Sequence, residues 1–189
     1  MAHKLPARTR ARSRAVDVLY EASVRGLDDP AGIFSLTQLR QEVTTAQTTL
    51  PPYAVEILEG VADHLDRIDS ALSTYSQSWP LHRMPKVDLA IMRVAVWEIL
   101  FNPEVDGPTA ITAAMQIAQE RSTDESPKFI NGLLGAIFDL SPALTESPVF
   151  DAAAKAAVAD GATLVPPETS SEGYRPTDVL SQIDLDQLD

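Results

Sequence analysis

Cysteine is absent from the 189 residues. That excludes disulfides, thiolate metal sites and a cysteine nucleophile, and it fits a reducing cytoplasm. Histidine is scarce: His3, His64 and His82 are the only ones, and no two of them stand at metal-ligand spacing or within an HExxH pattern. His64 sits beside an apolar helix position and reads as structural or solvent-facing. There is no glycine-rich phosphate loop, no GxSxG elbow and no readable Ser-His-Asp arrangement. Long apolar runs are also missing. The longest, Leu89 to Phe101, is interrupted by Arg93 and Glu98; it is too short for a bilayer, which takes roughly 20 apolar residues. The basic N-terminus leads into no apolar segment of signal-peptide type. These absences favour a cytoplasmic binding protein over an enzyme, with no cofactor, no metal and no membrane partner.

The net charge of −12 taken alone argues against nucleic acid. Its distribution argues the other way. Residues 1–14 carry Lys4, Arg8, Arg10, Arg12 and Arg14 and no acid, whereas residues 141–189 carry nine acids against Lys155 and Arg175. A basic tip on an acidic body marks an anionic partner whatever the net sign.

Strand signal is slight, and the apolar spacing is helical almost throughout. Ala11, Ala15, Val18, Leu19 and Ala22 make a first stripe, ended by Gly26 and the Asp28-Asp29-Pro30 turn. A weaker helix within 31–48 has Ile33, Leu36, Leu39 and Val43 as its apolar face. Ala54, Leu58, Val61, Leu65, Ile68, Leu72 and Tyr75 step by four and three, which predicts one long amphipathic helix with a narrow seam. Gly60 lies inside it at a small cost. Residues 87–101 are apolar on nearly all sides, the pattern of a central buried helix. Ile111, Met115 and Ala118 mark a further helix. The last begins with Ser126 as cap and Pro127 in its first turn, and carries Ile130, Leu133, Leu134, Ile137 and Phe138. Beyond 141 the chain is acidic and rich in Ala, Pro, Ser and Thr; it reads as a mostly disordered tail with marginal helices at 150–159 and near 177–188. The expected organisation is a flexible basic N-terminus over 1–8, an all-α body over 9–141 and an acidic tail over 142–189.

Three places resist a purely structural reading. On the first helix, Tyr20 falls opposite the alanine stripe, with Val16 beside it and Arg12 flanking. An aromatic among arginines suits base stacking and phosphate contact; alternatively Tyr20 covers a neighbouring helix and the arginines solubilise. In the buried helix, Asp88, Arg93 and Glu98 share no face. Arg93 is expected to pair with another helix, and Asp88 suits either the helix dipole or a partner protein. In the last helix, Lys128 and Phe129 stand off the main stripe, and Gly132 suggests the close approach of another backbone. Carboxylates such as Asp63, Asp66 and Asp69 read as a solvated face.

These same places carry a resemblance. RTRARSRAVDVLY at 8–20 resembles the arginine-rich first helix of the transcription antitermination factor NusB family. WPLHRMPKVDLAIMRVAVWE at 79–98 resembles its central block, and SPKFINGLL at 126–134 its terminal signature. Order and spacing match from about residue 8 to residue 140. EASVRG at 21–26 suggests an actinobacterial branch. The resemblance implies an all-α bundle of six to seven helices in two three-helix subdomains. It also implies a non-catalytic function: binding of single-stranded boxA RNA together with NusE, a small-subunit ribosomal protein, in support of RNA polymerase and other Nus factors on ribosomal RNA operons. By motif, Arg8, Arg10, Arg12, Tyr20, Lys128 and Phe129 would touch RNA. Asp88 would lie toward the NusE surface, and Glu125 near where the two surfaces meet. One departure stands out: the family often carries VAINEA where this chain has TAITAA at 109–114, so Thr112-Ala113 replace an Asn-Glu pair. The alternatives are a helical protein–protein adaptor or homodimer that masks the RNA surface, and the RNA-binding module of a ribosomal-RNA methyltransferase.

Overall fold

A computed structural model describes residues 5–42, 49–76 and 79–142. Residues 143–189 of the expected tail, its marginal helices and Val43 lie outside them. Among the described residues there are seven α-helices: α1 (Ala7–Arg25), α2 (Pro30–Glu42), α3 (Pro52–Asp63), α4 (Leu65–Tyr75), α5 (Lys86–Phe101), α6 (Gly107–Arg121) and α7 (Ser126–Asp139), with a 3-10 turn at Leu81–Arg83 before α5. None is long and apolar enough to cross a membrane.

Helices α1, α2 and α3 pack on one another, as do α5, α6 and α7, while α4 lies on α5 and α7. Helix α5 joins the two groups, touching α1, α3, α4, α6 and α7. Its nearly all-apolar sequence follows from that position: Leu89 to Trp97 is buried on every side. The first stripe is buried as expected, and Gly26 ends α1 with φ of 71°, the left-handed conformation that glycine supplies at no steric cost. Arg93 forms the expected interhelix pairs. Its guanidinium donates to Asp69 at 2.8 and 2.7 Å and to Asp28 at 2.6 Å, tying α5 to α4 and to the α1–α2 turn. Asp69 is therefore an ion-pair partner and not part of a solvated face.

Two further expectations are corrected here. Leu39 is exposed, so the buried face of α2 rests on Ile33 and Leu36. The long helix over 54–75 is two helices, separated at His64 (φ −117°, ψ 16°). Both halves pack on α5, but at that point the other partners change from α1 and α2 to α7, and one straight rod would not follow both. The His64 ring stacks flat on Phe101 at the end of α5, with centroids 4.1 Å apart and an interplanar angle of 8°.

Burial, reinforced by the nearby Arg67 charge, lowers the His64 imidazole pKa from its ordinary value. Folding therefore favours the neutral ring. The unfolded chain takes up a proton first as the pH falls through about 6.5, and stability declines from there toward the folded pKa. Thermal unfolding from pH 7.5 to 5.5 should show this decline, and His64→Phe, which keeps the stack, should remove that component.

Candidate nucleic-acid interface

Helix α1 starts without a side-chain cap and without an acid in its first turn. Arg8 and Arg10 are exposed there. Arg10 donates to the Leu5 carbonyl at 2.6 Å. The Arg8 guanidinium lies 4.9 Å from the centre of the Tyr53 ring and 3.7 Å from Glu104, with more than half of its side chain open to solvent. Both arginines are thus held near the helix start while remaining accessible.

Arg12 departs from expectation. It is 3% exposed, and Val16, expected beside Tyr20 on the outer side, is 1% exposed. The Arg12 Nε donates to both oxygens of Glu98, at 2.9 and 2.8 Å, and Glu98 is fully buried. The Tyr53 hydroxyl donates to the same carboxylate, and Asn102 Nδ2 reaches that hydroxyl at 3.5 Å. Burial, then the bond to Glu98, raises the Tyr53 pKa, so this hydroxyl stays protonated and donating. Arg12 is therefore inside because α5 presents a buried carboxylate that needs a cation. Its Nη2 remains buried and without a hydrogen-bond partner.

Further along α1, Tyr20 is exposed, as are Val24 one turn on and Leu27 just beyond the helix. Tyr20 stands about 18 Å along the helix from Arg8, from a rise of about 1.5 Å per residue. Asp17 pairs with Arg121 at the end of α6, and Lys86 at the start of α5 donates to the Ser23 carbonyl at 2.7 Å. The Tyr20 end of α1 is thereby set beside the start of α5 and the end of α6, which leads into α7.

The start of α7 is also rearranged relative to expectation. Ser126 is the first helical residue, not the cap, and Glu125 in the cap position makes no capping side-chain bond. The Ser126 hydroxyl donates to Asp88 Oδ2 at 2.7 Å and lies 2.9 Å from the hydroxyls of both Ser122 and Thr123. Asp88, expected toward the partner surface, is only 2% exposed. It fixes the 122–126 turn from beneath, where the first turn of α5 favours negative charge. Glu125 and Lys128 are exposed on that turn and helix start. Phe129 is half-buried, its ring 5.1 Å from that of Trp79. Gly132 faces open space, with nothing within 4 Å of where a Cβ would stand, so no close backbone accounts for it.

The structure thus brings Arg8 and Arg12 together around Tyr53, and Asp88 together with the turn that carries Glu125. Tyr53, Asn102 and the α6 residues near Arg12 were not foreseen. A signal existed: Thr9, Arg12, Val16 and Leu19 fall on a second line three and four residues apart, beside the alanine stripe, and all four are buried.

Comparison with known proteins gives a consistent result. The family model described as NusB family matches residues 9–139. The transcription antitermination protein NusB of Kineococcus radiotolerans is 47% identical over 141 residues, covering 75% of this chain and 99% of that one. The protein of the same name from Beutenbergia cavernae is 46% identical over 146 residues, covering 75% and 95%. Among solved structures, T. maritima NusB matches with a TM-score of 0.59 at 28% identity, over 72% of this chain and 93% of that one.

Proposed function

The chain belongs to the NusB family of transcription antitermination proteins, which are not enzymes, and from that premise we propose that it acts in the cytoplasm by binding boxA-type single-stranded RNA together with NusE. The complex supports processive transcription of ribosomal RNA operons by RNA polymerase with other Nus factors. The observation that carries this reading is the exposed, acid-free start of α1 with Arg8 and Arg10. Cations at a helix N-terminus are unfavourable unless an anion approaches, and a phosphate there would meet both the arginines and the free backbone N–H groups.

Arg8 and Arg10 position the RNA backbone, while Tyr20, Lys128 and Phe129 meet it further along. Glu125 faces NusE, and Asp88 acts through the turn that it holds. Each phosphate neutralised on a single strand contributes about −0.7 to the slope of log affinity against log salt. The double variant Arg8→Ala/Arg10→Ala should flatten that slope by about 1.4, measured with boxA-type and scrambled RNA, with and without NusE. An unchanged slope overturns the assignment.

A further inference from the structure

We propose that the cleft between the start of α1 and α6 receives one unstacked base of the bound RNA, with Arg12 Nη2 donating to a carbonyl oxygen on that base. The inference rests on the RNA-binding reading above and adds a specificity subsite to it.

The cleft has a volume of about 540 Å³ and is lined by Pro6, Thr9, Arg12, Glu104, Thr112 and Ala113 among others. That size falls within the usual range for small-molecule sites, which are largely apolar with a few placed polar groups. Arg12 is the unusual member of the lining. Its Nε is committed to Glu98, and its Nη2 is buried with no acceptor. A buried donor without a partner carries a desolvation penalty that an incoming acceptor relieves. No α6 side chain in the lining bonds to Nη2, and residue 113, where the resembled motif has glutamate, is alanine. The same substitution leaves the space open.

Charge decides what kind of acceptor fits. Arg8 and Arg12 line the cleft, but so do the carboxylates of Glu104 and Asp106, and Arg12 already faces Glu98. A phosphate would enter against the carboxylates of Glu104 and Asp106, while Arg8 is already 3.7 Å from Glu104 and Arg12 is bound to Glu98. A base carbonyl brings an acceptor with no net charge, and Thr109, Thr112 and Gln116 line the same cleft with groups suited to a base edge. Arg8, at the cleft and half in solvent, is placed to hold the backbone while the base turns inward. Guanine, uracil and cytosine carry the required oxygen; adenine does not.

The test uses the full chain and a boxA-type single-stranded RNA with each nucleotide in turn made abasic. In the wild type, one position should weaken binding about tenfold when its base is removed, the equivalent of one hydrogen-bonded contact. Ala113→Glu, which narrows the cleft beside Arg12 and offers Nη2 a carboxylate, and Ala113→Leu, which narrows it without charge, should each weaken the intact RNA to a similar extent. Neither should respond further to the abasic change at that position, and the salt slope should stay at the wild-type value. Thermal unfolding identifies whichever variant folds as the wild type. Wild-type affinity in both variants overturns the proposal, as does weakening without coupling to any base. A slope flatter by about 0.7 overturns it too, since the occupant would then be a phosphate. Failure of the RNA-binding reading looks different: the wild type would not distinguish boxA-type from scrambled RNA at all.

Discussion

Glu98→Ala should lower stability by about 3–5 kcal/mol, the usual cost of removing one partner from a buried ion pair. Glu98 is fully buried, and it accepts from Arg12 Nε and from the Tyr53 hydroxyl. Its loss leaves a guanidinium that is 3% exposed without its carboxylate, and a phenol without its acceptor. The penalty is that of an uncompensated charge, so the double variant Arg12→Met/Glu98→Leu should recover most of the loss. Urea unfolding separates the cases through the midpoint, provided that the slope is unchanged. A loss below about 1 kcal/mol in Glu98→Ala would mean that Arg12 finds solvent or another acceptor, contrary to the burial described. The pair also bears on binding. It joins the arginine-bearing helix to the central helix, so the same variant should weaken RNA binding even though Glu98 does not face the ligand.

The helical class and the positions of α1, α5, α6 and α7 were legible because each buries a stripe that repeats at helical spacing, and periodicity registers that directly. The break at His64 was not legible. Leu58, Val61, Leu65, Ile68 and Leu72 keep their four-and-three rhythm straight through it, and all are buried; a change of axis that preserves the side-chain phase leaves no trace in the pattern. The exposed members of the candidate site, Arg8, Arg10, Tyr20 and Lys128, are exposed as their positions off the stripes imply. The charged residues that turned out to be buried are a different matter. Arg12 and Asp88 are inside because of Glu98 and Ser126, which lie 86 and 38 residues away in the chain. Local spacing carries no information about such partners. A buried charge predicts that a partner exists, and only the fold says which one.

Gly60→Ala should destabilise the protein by about 1–3 kcal/mol, the range for forcing extra volume into a packed core. Helix propensity taken alone predicts the opposite sign, since alanine in a helix interior is about 0.5–1 kcal/mol better than glycine. Packing decides between them. A Cβ at residue 60 would stand 2.1 Å from Trp97 Nε1 and 2.2 Å from Cε2, far inside van der Waals contact. The obstacle is a rigid indole, only 6% exposed and set in α5, with little freedom to swing away. Glycine at 60 is therefore what lets α3 close onto the central helix. The decisive comparison is a double-mutant cycle with Trp97→Leu. That change costs stability by itself through the volume removed, but it also takes away the atoms that a Cβ would strike. In the Trp97→Leu background, Gly60→Ala should therefore be neutral or stabilising by up to about 1 kcal/mol, and the interaction energy between the two sites should be large. If Gly60→Ala is equally harmful in both backgrounds, the indole is not the cause and the close approach of α3 to α5 has been misassigned.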